Sequence, residues 1–328
     1  MDALLQVENL KTSFVTDDGE ITAVDGINFS VGRGKTLCIV GESGCGKSVT
    51  ALSLMRLIPG ANGRIHDTSK IILDGTDLLS LTVDQMRAQR GSSIGMIFQE
   101  PMTALNPVFT VGEQIAEVFR IHKKMGRSQA NEAALGMLKK VRIPAPEQRF
   151  DEYPHQLSGG MKQRILIAMA LACEPKLLIA DEPSTALDVT VQAQILRLMK
   201  NLQESMNTSI VFITHDLGVV AEIADDVIVM YAGRIVEQGS VFEIFDRPSH
   251  PYTKGLLHSI PSLTSVPKKP LNTIQGMVPS LANLPSGCRF HERCPWAKEI
   301  CKQKAPQLEP VSGSHLSACH FTKEVSGP

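Results

Sequence analysis

Eight residues, Gly41-Glu42-Ser43-Gly44-Cys45-Gly46-Lys47-Ser48, follow the apolar run Thr36–Val40 and precede helical character over residues 49–58, which stops before Pro59-Gly60. An apolar strand, a glycine-rich turn and a helix in that order match the phosphate-loop pattern in its proper context. The glycines let the backbone wrap closely, so that successive N–H groups converge on phosphate oxygens. The helix N-terminus adds a favourable dipole for the same anion. Gly41, Ser43, Gly44, Cys45, Gly46 and Val49 are therefore candidate nucleotide contacts, with Lys47 on the β- and γ-phosphates and Ser48 on Mg²⁺.

The rest of the chain reads as a single α/β protein with an appended tail. Residues 4–10 and 23–31 are short apolar-rich strands, as are residues 93–98, which end at Gln99. Residues 111–124 and 129–141 have helical periodicity and form an insertion between core strands. Residues 161–173 are apolar nearly all round and predict a buried helix. Residues 177–180, 210–214 and 227–230 are uninterrupted apolar strands of the kind a parallel sheet buries on both faces, with an amphipathic helix over 189–204. After residue 245, prolines at 248, 251, 261, 267, 270, 279 and 285 predict an extended connector without regular elements.

Bulk properties exclude several classes. A net charge of −1 gives no electrostatic footprint for nucleic acid. Residues 1–8 lack the basic start and apolar core of a signal peptide. The longest apolar stretch, residues 165–173, is about half of what a membrane-spanning helix needs. A cytosolic chain is expected, with any membrane role exerted through a partner.

Two further segments carry chemistry. Leu177-Leu178-Ile179-Ala180 runs into Asp181-Glu182, and a buried strand that ends in adjacent acids needs a reason, because unpaired buried charge is costly. Mg²⁺ held by Asp181 supplies one, and Glu182 is then placed to polarise a water. Leu157-Ser158-Gly159-Gly160-Met161 opens a helix and presents amides at its N-terminus, a second anion site in a chain that already has one.

Together the 41–48 loop, Gln99, residues 157–161, Asp181-Glu182, residues 184–188 and His215 resemble an ATP-binding-cassette ATPase over roughly residues 1–245. The resemblance implies a P-loop NTPase core with a β-subdomain and a helical insertion over about residues 100–173. It also assigns roles by position. Phe14 stacks on adenine, Gln99 senses Mg²⁺ and the attacking water, His215 contacts the γ-phosphate, and Asp188 lies in a loop that communicates across a dimer. Such cassettes pair head to tail, so Ser158, Gly159, Gly160 and Met161 serve the nucleotide on the partner's loop.

Four of the seven cysteines, Cys288, Cys294, Cys301 and Cys319, crowd the tail with gaps of five, six and seventeen residues. Four thiolates hold zinc or an iron–sulfur cluster. The gaps exceed those of paired zinc knuckles, which favours a cluster over zinc, with unliganded thiols as the third reading. His291, His315 and His320 lie nearby and read as solvated. The runs His250–Leu257 and Gly287–Pro295, with residues 154–161 and 180–187, resemble the oligopeptide and dipeptide importer ATPases. That resemblance spans essentially the whole chain and implies a [4Fe–4S] cluster in an extension over residues 246–328. It further implies a paralogous ATPase partner, two membrane permease subunits, an extracytoplasmic peptide-binding protein, and a place on the cytoplasmic face of the membrane. An importer of nickel or another small solute is the nearer alternative. A soluble cassette ATPase outside transport is the other, without the coiled coils or tandem cassettes that mark many of these.

Overall fold

The computed structural model describes residues 3–17, 19–99, 104–184, 188–260 and 273–325. They fall into two compact units. The loop unit holds residues 6–30, 36–72 and those from 214 onward, and the helical unit holds the first five, 31–35 and 73–213.

In the helical unit three parallel strands lie side by side: Ile94–Ile97, Leu177–Asp181 and Ser209–Ile213, with Ile94 opposite Leu177 and Leu177 opposite Ser209. Every residue of the last two is buried. Burial on both faces explains why these segments show no polar alternation. The crossover helix Val189–Met206 buries Ile195, Leu196, Leu198, Met199 and Leu202, a stripe at helical spacing. Its N-terminus is capped by Asp188, whose carboxylate accepts the Val191 N–H at 3.0 Å.

The insertion forms the helices Val111–His122 and Arg127–Lys140. They pack against each other, and the Phe150 ring sits where a Cβ on Gly112 would lie at 2.4 Å. The helix Gly159–Leu171 is only partly enclosed, contrary to the all-round burial its composition predicts. Its Arg164 reaches the Val141 carbonyl at 3.0 Å and Gln194 at 3.1 Å, which keeps one face polar.

In the loop unit Thr36–Val40 pairs in parallel with Asp226–Tyr231, Leu37 opposite Asp226. That strand turns through Ala232 and Gly233, at φ 45° and 84°, into the antiparallel Arg234–Ser240. Positive φ at both central residues suits the twist of a tight hairpin. A second sheet contains Ala3–Thr16 and Gly19–Gly32, with Gly63–Ile65 lying antiparallel to Thr12–Phe14.

The tail is more regular than its prolines predict. Pro251 begins a helix, Pro251–His258, at the one turn where its missing N–H costs nothing. His250 caps that helix by accepting the Tyr252 N–H on Nδ1 at 3.1 Å. Further on, His315–Ser317 adds to Arg234–Ser240, and Glu309–Ser312 adds to His315–Ser317 as the edge strand, where Pro310 is tolerated. Prolines 261, 267 and 270 lie outside the described residues.

One buried carboxylate ties these pieces together. Glu237, fully buried, faces His315 at 2.7 Å and accepts the His250 N–H at 3.0 Å and the Ser249 N–H at 2.5 Å. His315 is itself 1% exposed, so the expectation of a solvated side chain is corrected: it is the partner of a buried acid. A charge in that position is tolerated because each oxygen has donors.

Candidate functional site

The 41–48 loop takes its shape from three glycines at positive φ: Gly41 at 151°, Gly44 at 78° and Gly46 at 104°. Two of them also lack room. A Cβ on Gly41 would lie 2.3 Å from the Met230 carbonyl oxygen, and one on Gly46 would lie 2.5 Å from that of Ala23. The loop is thus wedged between the end of Asp226–Tyr231 and the strand Gly19–Gly32. Gly46 leads into the helix Lys47–Leu54 with no side-chain cap. An uncapped N-terminus keeps its first amides for an anion.

Lys47 is 6% exposed, and its Nζ donates to the carbonyls of Gly41 at 2.8 Å and Glu42 at 3.0 Å. A phosphate ligand competes with those carbonyls for the ammonium. Thr50 returns its hydroxyl to the Gly46 carbonyl at 2.9 Å and stiffens the first turn. Cys45 is fully buried, and burial pushes its thiol up, so it stays neutral beside Lys47. Ser48 and Val49 occupy the first turn, both half-buried.

Phe14 lies opposite Gly63, and its ring would come within 2.9 Å of a Cβ there. The ring is half-buried near the end of its strand. His215 is exposed, between Thr214, whose N–H reaches the Ile39 carbonyl at 3.3 Å, and Asp216, which caps the helix Leu217–Ile223. His215 therefore lies alongside the strand that feeds the loop.

In the helical unit Asp181 ends the central strand at 4% exposure. Glu182 turns the chain at φ 48°, a left-handed conformation that non-glycine residues seldom adopt. Its N–H is held by the Ile213 carbonyl at 2.9 Å, and its carboxylate accepts Gln99 Nε2 at 3.3 Å. The strand ends thus bring Gln99 and Glu182 together. The left-handed turn at Glu182 is a local cost, and no sequence pattern announces it.

Ser158 caps the helix Gly159–Leu171 by accepting the Met161 N–H at 3.4 Å. Ser158 and Gly159 are exposed, Gly160 and Met161 half-buried, and Val191 would meet a Cβ on Gly160 at 2.8 Å. An exposed helix start with no acid in its first turn suits an anion. Of the 184–188 loop, residues 185–187 lie outside the described residues.

Cys288, Cys294, Cys301 and Cys319 line one small pocket with His250, Phe290, Trp296 and Phe321. All four are free of disulfides. Burial above all, with the neighbouring thiols adding to it, pushes Cys294 and Cys319 up to about 11. The Phe321 N–H donates to Cys319 Sγ at 3.4 Å. His291 Nδ1 is taken by the Cys288 carbonyl and His320 Nε2 by that of Lys304, so both rings hold backbone. Among the described residues, no group of three or more His, Cys, Asp or Glu is arranged to hold a metal ion. The four thiols nonetheless line one pocket, and four is the number of thiolates that a zinc ion or an iron–sulfur cluster takes.

No described helix is long and apolar enough to cross a membrane. Residues 24–185 match the ABC transporter family, and residues 236–301 match the oligopeptide/dipeptide transporter C-terminal region. A probable peptide ABC transporter ATP-binding protein of Sinorhizobium fredii is 54% identical over 99% of this chain and 96% of its own length. The oligopeptide transport ATP-binding protein AppD of Bacillus subtilis is 52% identical over 99% of this chain and 98% of its own. Among solved structures, the ATP-binding cassette MJ0796, dimeric in a post-hydrolysis state with ADP and Pi, matches with a TM-score of 0.63. It is 26% identical, and the match covers 72% of this chain and 98% of that one. By fold this is a P-loop ATPase of the cassette type. The chain belongs to the ABC transporter family.

The crowding at Gly41 gives a direct test. Gly41→Ala is expected to destabilise by at least about 2 kcal/mol, because the methyl group overpacks against backbone. Gly44→Ala has open space around it and should cost only about 1 kcal/mol for its positive φ. Denaturant unfolding of both variants checks this, and equal costs would contradict the wedged loop.

Proposed function

We propose that the chain is the ATP-hydrolysing subunit that energises uptake of di- and oligopeptides through a membrane importer. The observation that carries this reading is the match of residues 236–301 to the oligopeptide/dipeptide transporter C-terminal region, in a chain aligned end to end with peptide-transport relatives. On this reading residues 1–245 form the nucleotide-binding domain and residues 246–328 an extension specific to that class.

Lys47 leaves the Gly41 and Glu42 carbonyls for the β- and γ-phosphates. Phe14 meets adenine. Ser48, Asp181 and Gln99 hold Mg²⁺ directly or through water, and Glu182, aimed by its strained turn and by Gln99, orients the attacking water. His215 contacts the γ-phosphate. Catalysis is positioning and charge stabilisation rather than covalent chemistry. Ser158, Gly159, Gly160 and Met161 complete the site of a paralogous ATPase, and Asp188 relays its state. Two permease subunits dock on the helical insertion at the cytoplasmic face, and an extracytoplasmic binding protein delivers the peptide.

Pull-down of the tagged chain from detergent-solubilised membranes should bring two polytopic permease subunits and a second cassette ATPase. Recovery with ribosomes or nucleic acid alone would sink the transport reading.

Cys288, Cys294, Cys301 and Cys319 would hold a [4Fe–4S] cluster, supported by their convergence on one pocket free of disulfides. Such a group supplies a structural cross-link or a one-electron redox centre. Anaerobically purified protein is then expected to be brown and to contain iron. Colourless, iron-free protein from that preparation refutes the assignment.

A further inference from the structure

Glu42, inside the phosphate loop, has each of its polar groups occupied, and two of the partners come from the tail. Its carbonyl accepts Lys47 Nζ at 3.0 Å and the Cys45 N–H at 3.4 Å. Its N–H donates to the Tyr252 hydroxyl at 2.8 Å. Its carboxylate receives Arg293 in a two-point fork, Nη1 to Oε2 at 2.7 Å and Nη2 to Oε1 at 3.0 Å.

These two tail residues are built in rather than draped over the surface. The Arg293 side chain is 5% exposed. Its Nε donates to the Gln275 carbonyl at 3.0 Å and its Nη1 to the Tyr231 hydroxyl at 3.3 Å, while the guanidinium sits 5.7 Å from the Tyr231 ring centre. The bond to Glu42 holds Arg293 further into its charged form. Tyr252 is fully buried, edge-on to Tyr231 at 4.7 Å and tilted on Phe290 at 5.3 Å. A planar fork fixed on one side by carbonyls and rings transmits position to the carboxylate on the other.

We propose that Arg293 and Tyr252 are positioning residues for ATP binding: the extension grips Glu42 by side chain and backbone at once and so presets the loop that receives the phosphates. This rests on the reading of the 41–48 loop as an ATP site. Lys47 and the grip converge on one residue, so a displaced Glu42 misplaces both the ammonium and the amides that follow. Phe290 and Arg293 lie between Cys288 and Cys294, so the cysteine pocket and the grip share one short segment. A purely structural tail need not reach the loop.

The test compares wild type, Arg293→Ala, Arg293→Lys, Glu42→Ala, the double variant and Tyr252→Phe in the purified transporter complex. Steady-state ATP hydrolysis and binding of a fluorescent ATP analogue are read for each. Arg293→Ala is expected to raise KM and weaken analogue binding by about tenfold, more than it lowers kcat, as displaced binding groups do. Arg293→Lys should recover part of that loss. Glu42→Ala combined with Arg293→Ala should be no worse than either alone, because both remove one interaction. Tyr252→Phe deletes only a hydroxyl and is expected to raise KM severalfold, which keeps the test open where the arginine variant does not fold. Unchanged KM in both single tail variants, or losses that simply add in the double variant, overturn the proposal. Failure of the wild type itself to bind the analogue would instead overturn the ATP reading beneath it.

Discussion

A Cβ on Gly41 would fall 2.3 Å from the Met230 carbonyl and one on Gly46 2.5 Å from that of Ala23, and much of the loop unit follows from this lack of space. A chain threaded that tightly between two strands adopts one path, because only glycine takes positive φ without a side chain to clear. That path leaves the Gly41 and Glu42 carbonyls facing Lys47. Lys47 is thereby held almost out of water, within reach of the place where phosphate charge belongs. The neutral, buried Cys45 thiol fills the inside of the turn without adding a competing charge.

The helical unit solves a related problem with different means. Its acids stand at the end of a fully buried strand, and Glu182 takes a left-handed turn with its N–H on the Ile213 carbonyl. Its carboxylate accepts Gln99 Nε2. Strain there is sustained by the strands Leu177–Asp181 and Ser209–Ile213, buried along their whole length, which leave the turn little freedom to relax. Position rather than reactivity is what the local structure supplies.

Much of this was legible in the sequence because the signals are local. Glycines at fixed offsets after an apolar strand, an apolar run ending in two acids, and a serine-glycine-glycine helix start each state their structure within a few residues. The buried strands show themselves by missing alternation, and the helix read over 189–204 by its stripe. The tail is less legible. The proline at 251 predicts an extended connector, yet it starts a helix, a place where proline is tolerated. His315 pairs with Glu237 across 78 positions, and Arg293 reaches Glu42 across 251. Contacts of that range leave no periodic mark in a single sequence, so the grip on the loop had no signal that spacing or composition could reveal.

The central claim is that this chain hydrolyses ATP to drive peptide uptake, with Glu182 placing the water. The direct measurement is ATP turnover by the importer reconstituted in lipid vesicles, with binding protein empty or loaded with peptide. Loaded binding protein should stimulate wild-type turnover. Glu182→Gln, with the partner's own site disabled, should retain ATP while turnover falls by at least about 100-fold, the scale of a lost general base. Turnover indifferent to peptide, or a Glu182→Gln subunit that hydrolyses at the wild-type rate, would contradict the account.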